Sequence, residues 1–135
     1  MFQTSQIIQP AEGVGQDRLT VVRLGAKVII AIADGAGGRS GGAEAADFVA
    51  LLVKERAASL NSQTDCKRIL AELDETIASD KTAGETTAIV LIVSSEGICG
   101  ASVGDSGTWL VKGSHIDDLT LHQNQSAESL RLMAC

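Results

Sequence analysis

Residues 28–33 form an unbroken apolar run, Val28-Ile29-Ile30-Ala31-Ile32-Ala33, that ends on Asp34-Gly35-Ala36-Gly37-Gly38. A strand with no polar alternation is covered on both faces, so this run belongs inside a layered structure. A carboxylate at the exit of such a strand, followed at once by small flexible residues, is a ligand position for a hard cation. Gly35 there lets the backbone come close enough for its own carbonyl to join. Val103-Gly104-Asp105-Ser106-Gly107 repeats the arrangement after a second β-like run. Two strand-end aspartates in glycine-rich turns, far apart in sequence, suggest a hard-metal site assembled by the fold.

The rest of the pattern says what that fold is. Residues 19–24 and Lys27–Ala33 are rich in Val and Ile and flank Gly25-Ala26, which predicts a hairpin. From about Gly42 the period turns helical, with Ala46, Val49, Ala50 and Val53 at spacings of three and four and Glu55 and Arg56 among the polar positions. A second amphipathic segment covers about residues 64–78, its stripe being Ile69, Leu70, Leu73 and Ile77, with Thr64 or Asp65 as its cap. After Asp80-Lys81-Thr82-Ala83-Gly84 the period becomes β again. Residues 86–93, 97–103 and 108–112, separated by short turns, predict a meander of three strands. Two strands, two helices and three strands with short connections give an α+β class, helices packed on an antiparallel sheet. The sheet is expected to bury residues 28–32, residues 88–93 and alternate residues of 98–103, beneath the stripe of Ile69, Leu73 and Ile77. Residues 1–123 read as one domain without internal repeats. Residues 124–135 form a divergent tail whose pattern suits a short helix and a frayed end equally.

Composition narrows the function. The chain has 135 residues, enough for a real core, of which 44% are hydrophobic. A formal charge of −6 and a pI near 4.8 exclude a nucleic-acid partner, which needs a basic face. Phe2, Phe48 and Trp109 are the only aromatics, so the core is aliphatic and no base-stacking surface is available. Cys66, Cys99 and Cys135 are odd in number and lack CxxC spacing, which points to reduced thiols and a cytoplasmic setting. The N-terminus has neither a basic nor an apolar leader segment, and no apolar run is long enough to span a bilayer. No membrane partner is expected.

By itself the glycine loop has three readings. A dinucleotide or phosphate loop would also follow a strand and precede a helix, but GK[ST] is absent and Ser40 stands where the third fingerprint glycine or alanine belongs. Asp34 at the entry would repel a pyrophosphate. A purely structural turn and a metal site led by Asp34 are the other two.

Four segments together carry a resemblance. Gln16-Asp17-Arg18-Leu19, Ala33-Asp34-Gly35-Ala36-Gly37-Gly38, Gly84-Glu85-Thr86-Thr87-Ala88 and Val103-Gly104-Asp105-Ser106 resemble, in order and spacing, the first four signatures of the metal-dependent protein phosphatases, the PPM or type 2C family. Gly41-Gly42-Ala43-Glu44-Ala45-Ala46 suits the helix that follows the second signature there. The resemblance covers about residues 12–123. It implies a layered sheet with an antiparallel helix pair, part of an α-β-β-α sandwich, with two Mg²⁺ or Mn²⁺ ions at one end. A metal-bridging water would attack a phosphoserine or phosphothreonine of a phosphoprotein substrate. By position, Asp34 would bridge the ions, the Gly35 carbonyl would ligate one, Asp17 would hold a metal-bound water, and Asp105 would serve a weaker metal position.

Three departures from the family pattern shape the expected activity. Gln16 replaces an acidic residue, and an amide oxygen is the weaker ligand for Mg²⁺. No arginine stands among residues 12–15 to hold the substrate phosphate, which leaves Arg18, Arg23 or Arg39 as substitutes and the substrate-binding residues unassigned. The family's later DG and DN signatures have no counterpart, since Asp117 and Asp118 follow Asp105 too closely. The expectation is the N-terminal half of a phosphatase fold, naturally short or truncated, and weakly active. The alternative is a catalytically inactive regulatory or binding module. Half a sandwich would also leave a sheet face uncovered, open to self-association. Among other candidates, His115 and His122 read as surface residues, Cys99 as a small core residue, and Ser106 lacks a neighbouring histidine.

Overall fold

A computed structural model describes residues 2–10, 13–36, 40–120 and the backbone of 131–133. The first hairpin forms where its Val- and Ile-rich runs require. Strand β1 (Arg18–Leu24) turns at Gly25, which takes φ +60°, and returns as β2 (Lys27–Ala33). Helix α1 (Gly42–Arg56), a 3-10 turn (Ala57–Ser59) and helix α2 (Gln63–Ser79) follow. Then come β3 (Ala88–Ser94), β4 (Gly97–Val103), β5 (Trp109–Lys112), β6 (His115–Asp118) and β7 (Arg131–Met133). The main sheet runs in the order β1-β2-β3-β4-β7, antiparallel at every junction, and β5 pairs with β6 in a separate hairpin. This is the α+β architecture that short turns between consecutive strands dictate. It removes the dinucleotide reading, which needs a parallel strand–helix–strand unit.

Register explains the core. Val22 lies opposite Ile29, Ile29 opposite Ile92, and Ile92 opposite Cys99, so these side chains share one face. Over that face α1 covers β1 and β2 while α2 covers β3 and β4. Val49 and Val53 from α1 meet Ile69, Leu70 and Leu73 from α2 in one aliphatic cluster. Burying each such side chain is worth about 1.5–3 kcal/mol. Ile77, in the last turn of α2, is only half-buried. The opposite face carries Ile30, Ile32, Ile89, Leu91 and Ile98, with Leu119 packed on them. Ile89 and Leu91 are buried and the other three half-buried, so none of these five is bare. Exposed large apolar side chains instead include Ile7 and Ile8 in the N-terminal segment and Trp109, Val111 and Ile116 on the β5–β6 hairpin.

Five local expectations are corrected. The strand at 108–112 does not extend the meander: Gly104 turns the chain away in the left-handed region (φ +93°), and β7 occupies the edge of β4. The loop expected around His115 is strand β6, and residues 131–133 form a strand where helix and frayed end were the options. Residues 121–130, 134 and 135 lie outside the described residues, His122 and Cys135 among them. Burial in β4 is continuous from Cys99 to Ser102 because both faces of the sheet are covered. Finally, Ser62 caps α2 in place of Thr64 or Asp65. Its Oγ accepts from the Asp65 amide at 3.2 Å, while the Asp65 carboxylate accepts from the Asn61 amide at 3.0 Å and from the Ser62 hydroxyl at 2.8 Å. That reciprocal pair satisfies donors a lone cap would leave open.

Candidate functional site

Antiparallel pairing brings four separate segments to one end of the sheet. Arg18 opposes Ala33, Ile32 opposes Ile89, and Ala88 opposes Val103. The residues just beyond these pairs are therefore neighbours: Asp17 before β1, Asp34 after β2, Thr87 before β3 and Gly104-Asp105 after β4. The ladder continues past β2 into the glycine loop. The Thr87 amide donates to the Asp34 carbonyl and the Ala36 amide to the Glu85 carbonyl, both at 2.9 Å, and Gly35 bridges to Thr86. In turn the Asp34 amide donates to Thr87 Oγ1 at 3.2 Å, and Thr87 Oγ1 shares a 2.5 Å hydrogen bond with Ser106 Oγ.

Glycine is required here by close approach. A Cβ on Gly35 would collide with the Gly42 carbonyl and lie 2.8 Å from the Gln16 carbonyl oxygen. Gly41 starts α1 in the left-handed region (φ +91°), its carbonyl accepting from Ala45 at 2.9 Å and from Gly84 at 2.8 Å. The loop after Asp34 and the segment before Thr86 are thus laced together by backbone alone.

Charge is concentrated at this end. The Asp34 carboxyl is pushed above the usual carboxylate range, first by lost hydration within the turn. The hydrogen bond and negative charge of Asp17 and the charge of Asp105 act in the same direction. Asp34 as a residue remains exposed, so water screens part of this effect. The neighbouring guanidinium is committed elsewhere: Arg18 binds Asp47 at 2.5 Å and the Gly15 and Asp17 carbonyls at 3.1 and 2.9 Å. Asp17, Asp34 and Asp105, all singled out by sequence, are therefore brought into electrostatic contact. They do not close into a cage, since no three His, Cys, Asp or Glu side chains among the described residues converge as a metal cluster would. The acidic groups that act on one another here are Asp34 and Asp17, with Asp105 acting more weakly and Gly35 next in the chain after Asp34. Carboxylates gathered at a strand exit beside a glycine turn are oxygen donors of the kind a hard divalent ion takes.

Other candidates fall away or stand elsewhere. Arg23 holds the N-terminal segment, donating to the Phe2 carbonyl at 2.8 Å and to Thr4 Oγ1 at 2.6 Å. Arg39 lies outside the described residues. His115 pairs with Asp117 at 2.8 Å on the exposed hairpin, and Asp118 accepts from the Thr120 amide and hydroxyl, both at 2.8 Å. A groove of about 780 Å³ beside Phe2, Arg23 and Val28 is lined by no carboxylate. For two site residues the sequence reading assigned no role: Thr87 was legible only within the third signature, and Gln16 only as a departure from the first. The Gln16 Oε1 is buried without a hydrogen-bond partner, against Gly42.

Comparison with known proteins agrees with this geometry. A family model, protein phosphatase 2C, matches residues 11–130. A bacterial serine phosphatase carrying an arginine-to-lysine substitution superposes with a TM-score of 0.65 at 21% identity, over 80% of this chain and 49% of that one. The serine/threonine phosphatase Stp1 from Staphylococcus aureus gives 0.65 at 17% identity, over 88% of this chain and 57% of that one. The bacterial serine phosphatase without that substitution gives 0.61 at 18% identity, over 80% and 49%. This chain thus spans about half the length of the phosphatases it resembles. A comparison with curated proteins gave no match. With the family model covering most of its length and the same fold in these neighbours, the chain belongs to the protein phosphatase 2C family.

Proposed function

We propose that this chain acts as a metal-dependent protein serine/threonine phosphatase module, hydrolysing phosphoserine or phosphothreonine esters at low turnover. One observation carries the proposal: the strand ends bring Asp17, Asp34 and Asp105 together, and the Asp34 carboxyl is pushed up first by lost hydration, then by the hydrogen bond and charge of Asp17 and the charge of Asp105. A divalent cation, Mg²⁺ or Mn²⁺, would relieve that crowding. Asp34, Asp17 and the Gly35 carbonyl would hold it, with Asp105 serving an outer position. When bound, such an ion supplies an acidified water and charge compensation at the phosphoryl oxygens. Asp34 fixes the position at the strand exit, and Asp17 shares its hydrogen bond and orients it. Low turnover follows from the sparse donor set, since each missing electrostatic contact costs roughly 10²–10³ in rate. A phosphoprotein is the substrate and the cytoplasm the setting, in keeping with Cys66 and Cys99 buried in the core.

A second function has its own observation. Arg18 is already occupied by Asp47, which takes a phosphate-binding candidate out of the site and favours an inactive regulatory or binding module. Phosphate release from a phosphoserine peptide separates the two. Slow, Mn²⁺-dependent release that Asp34→Asn abolishes supports the enzyme. Peptide binding without release supports the module, and release unaffected by Asp34→Asn overturns the site. Self-association belongs to the same proposal, through Trp109, Val111 and Ile116 on the hairpin. Sedimentation with no concentration dependence would count against it.

A further inference from the structure

Thr87 occupies a place that no signature aspartate does. Its amide donates to the Asp34 carbonyl at 2.9 Å, and its hydroxyl accepts from the Asp34 amide at 3.2 Å, so it grips both polar groups of that residue's backbone. The same hydroxyl meets Ser106 Oγ, next to Asp105, at 2.5 Å. Its methyl supports the second turn from beneath: a Cβ on Gly104 would lie 2.7 Å from Thr87 Cγ2. One half-buried side chain therefore touches both aspartate-bearing turns.

We propose that Thr87 is a positioning residue whose hydroxyl fixes the Asp34 turn against the Asp105 turn, setting the spacing of the carboxylates for a divalent cation. This rests on the metal reading above. A hydroxyl serves because the position must accept from an amide and bond a second hydroxyl at once, which Ser or Thr does in this space without adding charge. Removing it leaves the Asp34 amide and Ser106 unpaired and lets the turns drift independently. Residues that orient metal ligands from behind are worth about 10–100-fold in metal affinity.

Mn²⁺ titration by calorimetry on the full chain tests this with five variants, one of them double, each also melted in chelator. Thr87→Val keeps the shape and loses the hydroxyl, and should weaken Mn²⁺ binding at least about tenfold. Thr87→Ser should restore affinity to within about threefold of wild type, a rescue that a purely packing role would not give. Ser106→Ala cuts only the Asp105 side and should weaken binding less. Its effect should vanish in the Thr87→Val background, since the two act through one bond. Wild-type affinity in Thr87→Val, with binding lost in Asp34→Asn, overturns the role of Thr87 alone. Wild-type affinity in Asp34→Asn overturns the metal reading and this proposal together. Equal losses in Thr87→Ser and Thr87→Val also refute the hydroxyl's role, as does affinity that falls only in proportion to melting temperature. Should Thr87→Val fail to fold, the other two variants decide: weaker binding by Ser106→Ala beside near-wild-type Thr87→Ser supports the proposal, and wild-type affinity in Ser106→Ala refutes it.

Discussion

Gly84→Ala should loosen the site more than its size suggests. An ideal Cβ at Gly84 lies 2.5 Å from the Ser40 carbonyl oxygen, 3.1 Å from the Gly41 carbonyl carbon and 3.3 Å from the Gly42 amide nitrogen. All three are backbone atoms leading into α1, so no flexible side chain is available to move aside. The closest contact is roughly 1 Å short of ordinary van der Waals separation. Opening that gap lengthens the 2.8 Å hydrogen bond from the Gly84 amide to the Gly41 carbonyl. Overpacking costs about 1–3 kcal/mol and a lost hydrogen bond about 1, giving about 2–4 kcal/mol in all. With a urea slope of about 2 kcal/mol/M, the middle of the usual range, the unfolding midpoint should fall by about 1–2 M. Gly25→Ala is the control: nothing lies within 4 Å of its Cβ, and only its φ of +60° resists a side chain, at about 1–2 kcal/mol. A Gly84→Ala midpoint close to wild type, or above that of Gly25→Ala, would refute the close-approach argument.

The other predictions address charge, capping and the core. Because the folded protein raises the proton affinity of Asp34, that group favours the folded state below its unfolded pKa, and the benefit is lost as pH rises through the folded value. Metal-free Asp34→Asn should therefore exceed wild type in stability near pH 7, by less than about 1 kcal/mol for so exposed a group. The advantage should shrink towards pH 4, and urea midpoints showing a pH-independent difference would contradict this. Ser62→Ala, which removes the α2 cap, should cost about 1 kcal/mol in the same assay, and no loss would mean that Asp65 alone suffices. Ile29→Ala, fully buried in β2, should cost about 2–5 kcal/mol, whereas Val111→Ala on the exposed hairpin should stay within about 0.5. Comparable losses at the two positions would contradict the assigned core.

What the sequence disclosed, and what it hid, follows from the range of the interactions involved. The runs that became β2 and β3 were legible because continuous Val and Ile allow little else, and the stripe of Ile69, Leu70 and Leu73 was legible from its period. The α2 cap was misread because Thr64 and Asp65 are also capping residues, and the choice fell to the reciprocal bond between Ser62 and Asp65. Strand β5 reads as a third meander strand because nothing local reports that Gly104 diverts the chain or that β7 takes the edge of β4. In β6, His115-Ile116-Asp117-Asp118 carries no apolar alternation, and its pairing with β5 supplies the strand. Asp17, Asp34 and Asp105 were found from motif and turn chemistry. The role of Thr87, quoted only within a signature, was not, because its importance lies in bonds to two turns that are distant in sequence.

The central claim is that the crowded carboxylates at the end of the sheet form a divalent-cation site with Asp34 at its heart. Calorimetric titration of the purified 135-residue chain with Mn²⁺, in parallel with Asp34→Asn, tests it most directly. The account predicts weak binding by the wild type, with a dissociation constant of about 10⁻⁴–10⁻³ M, and its loss in the variant. Equal affinity in the two proteins would contradict it.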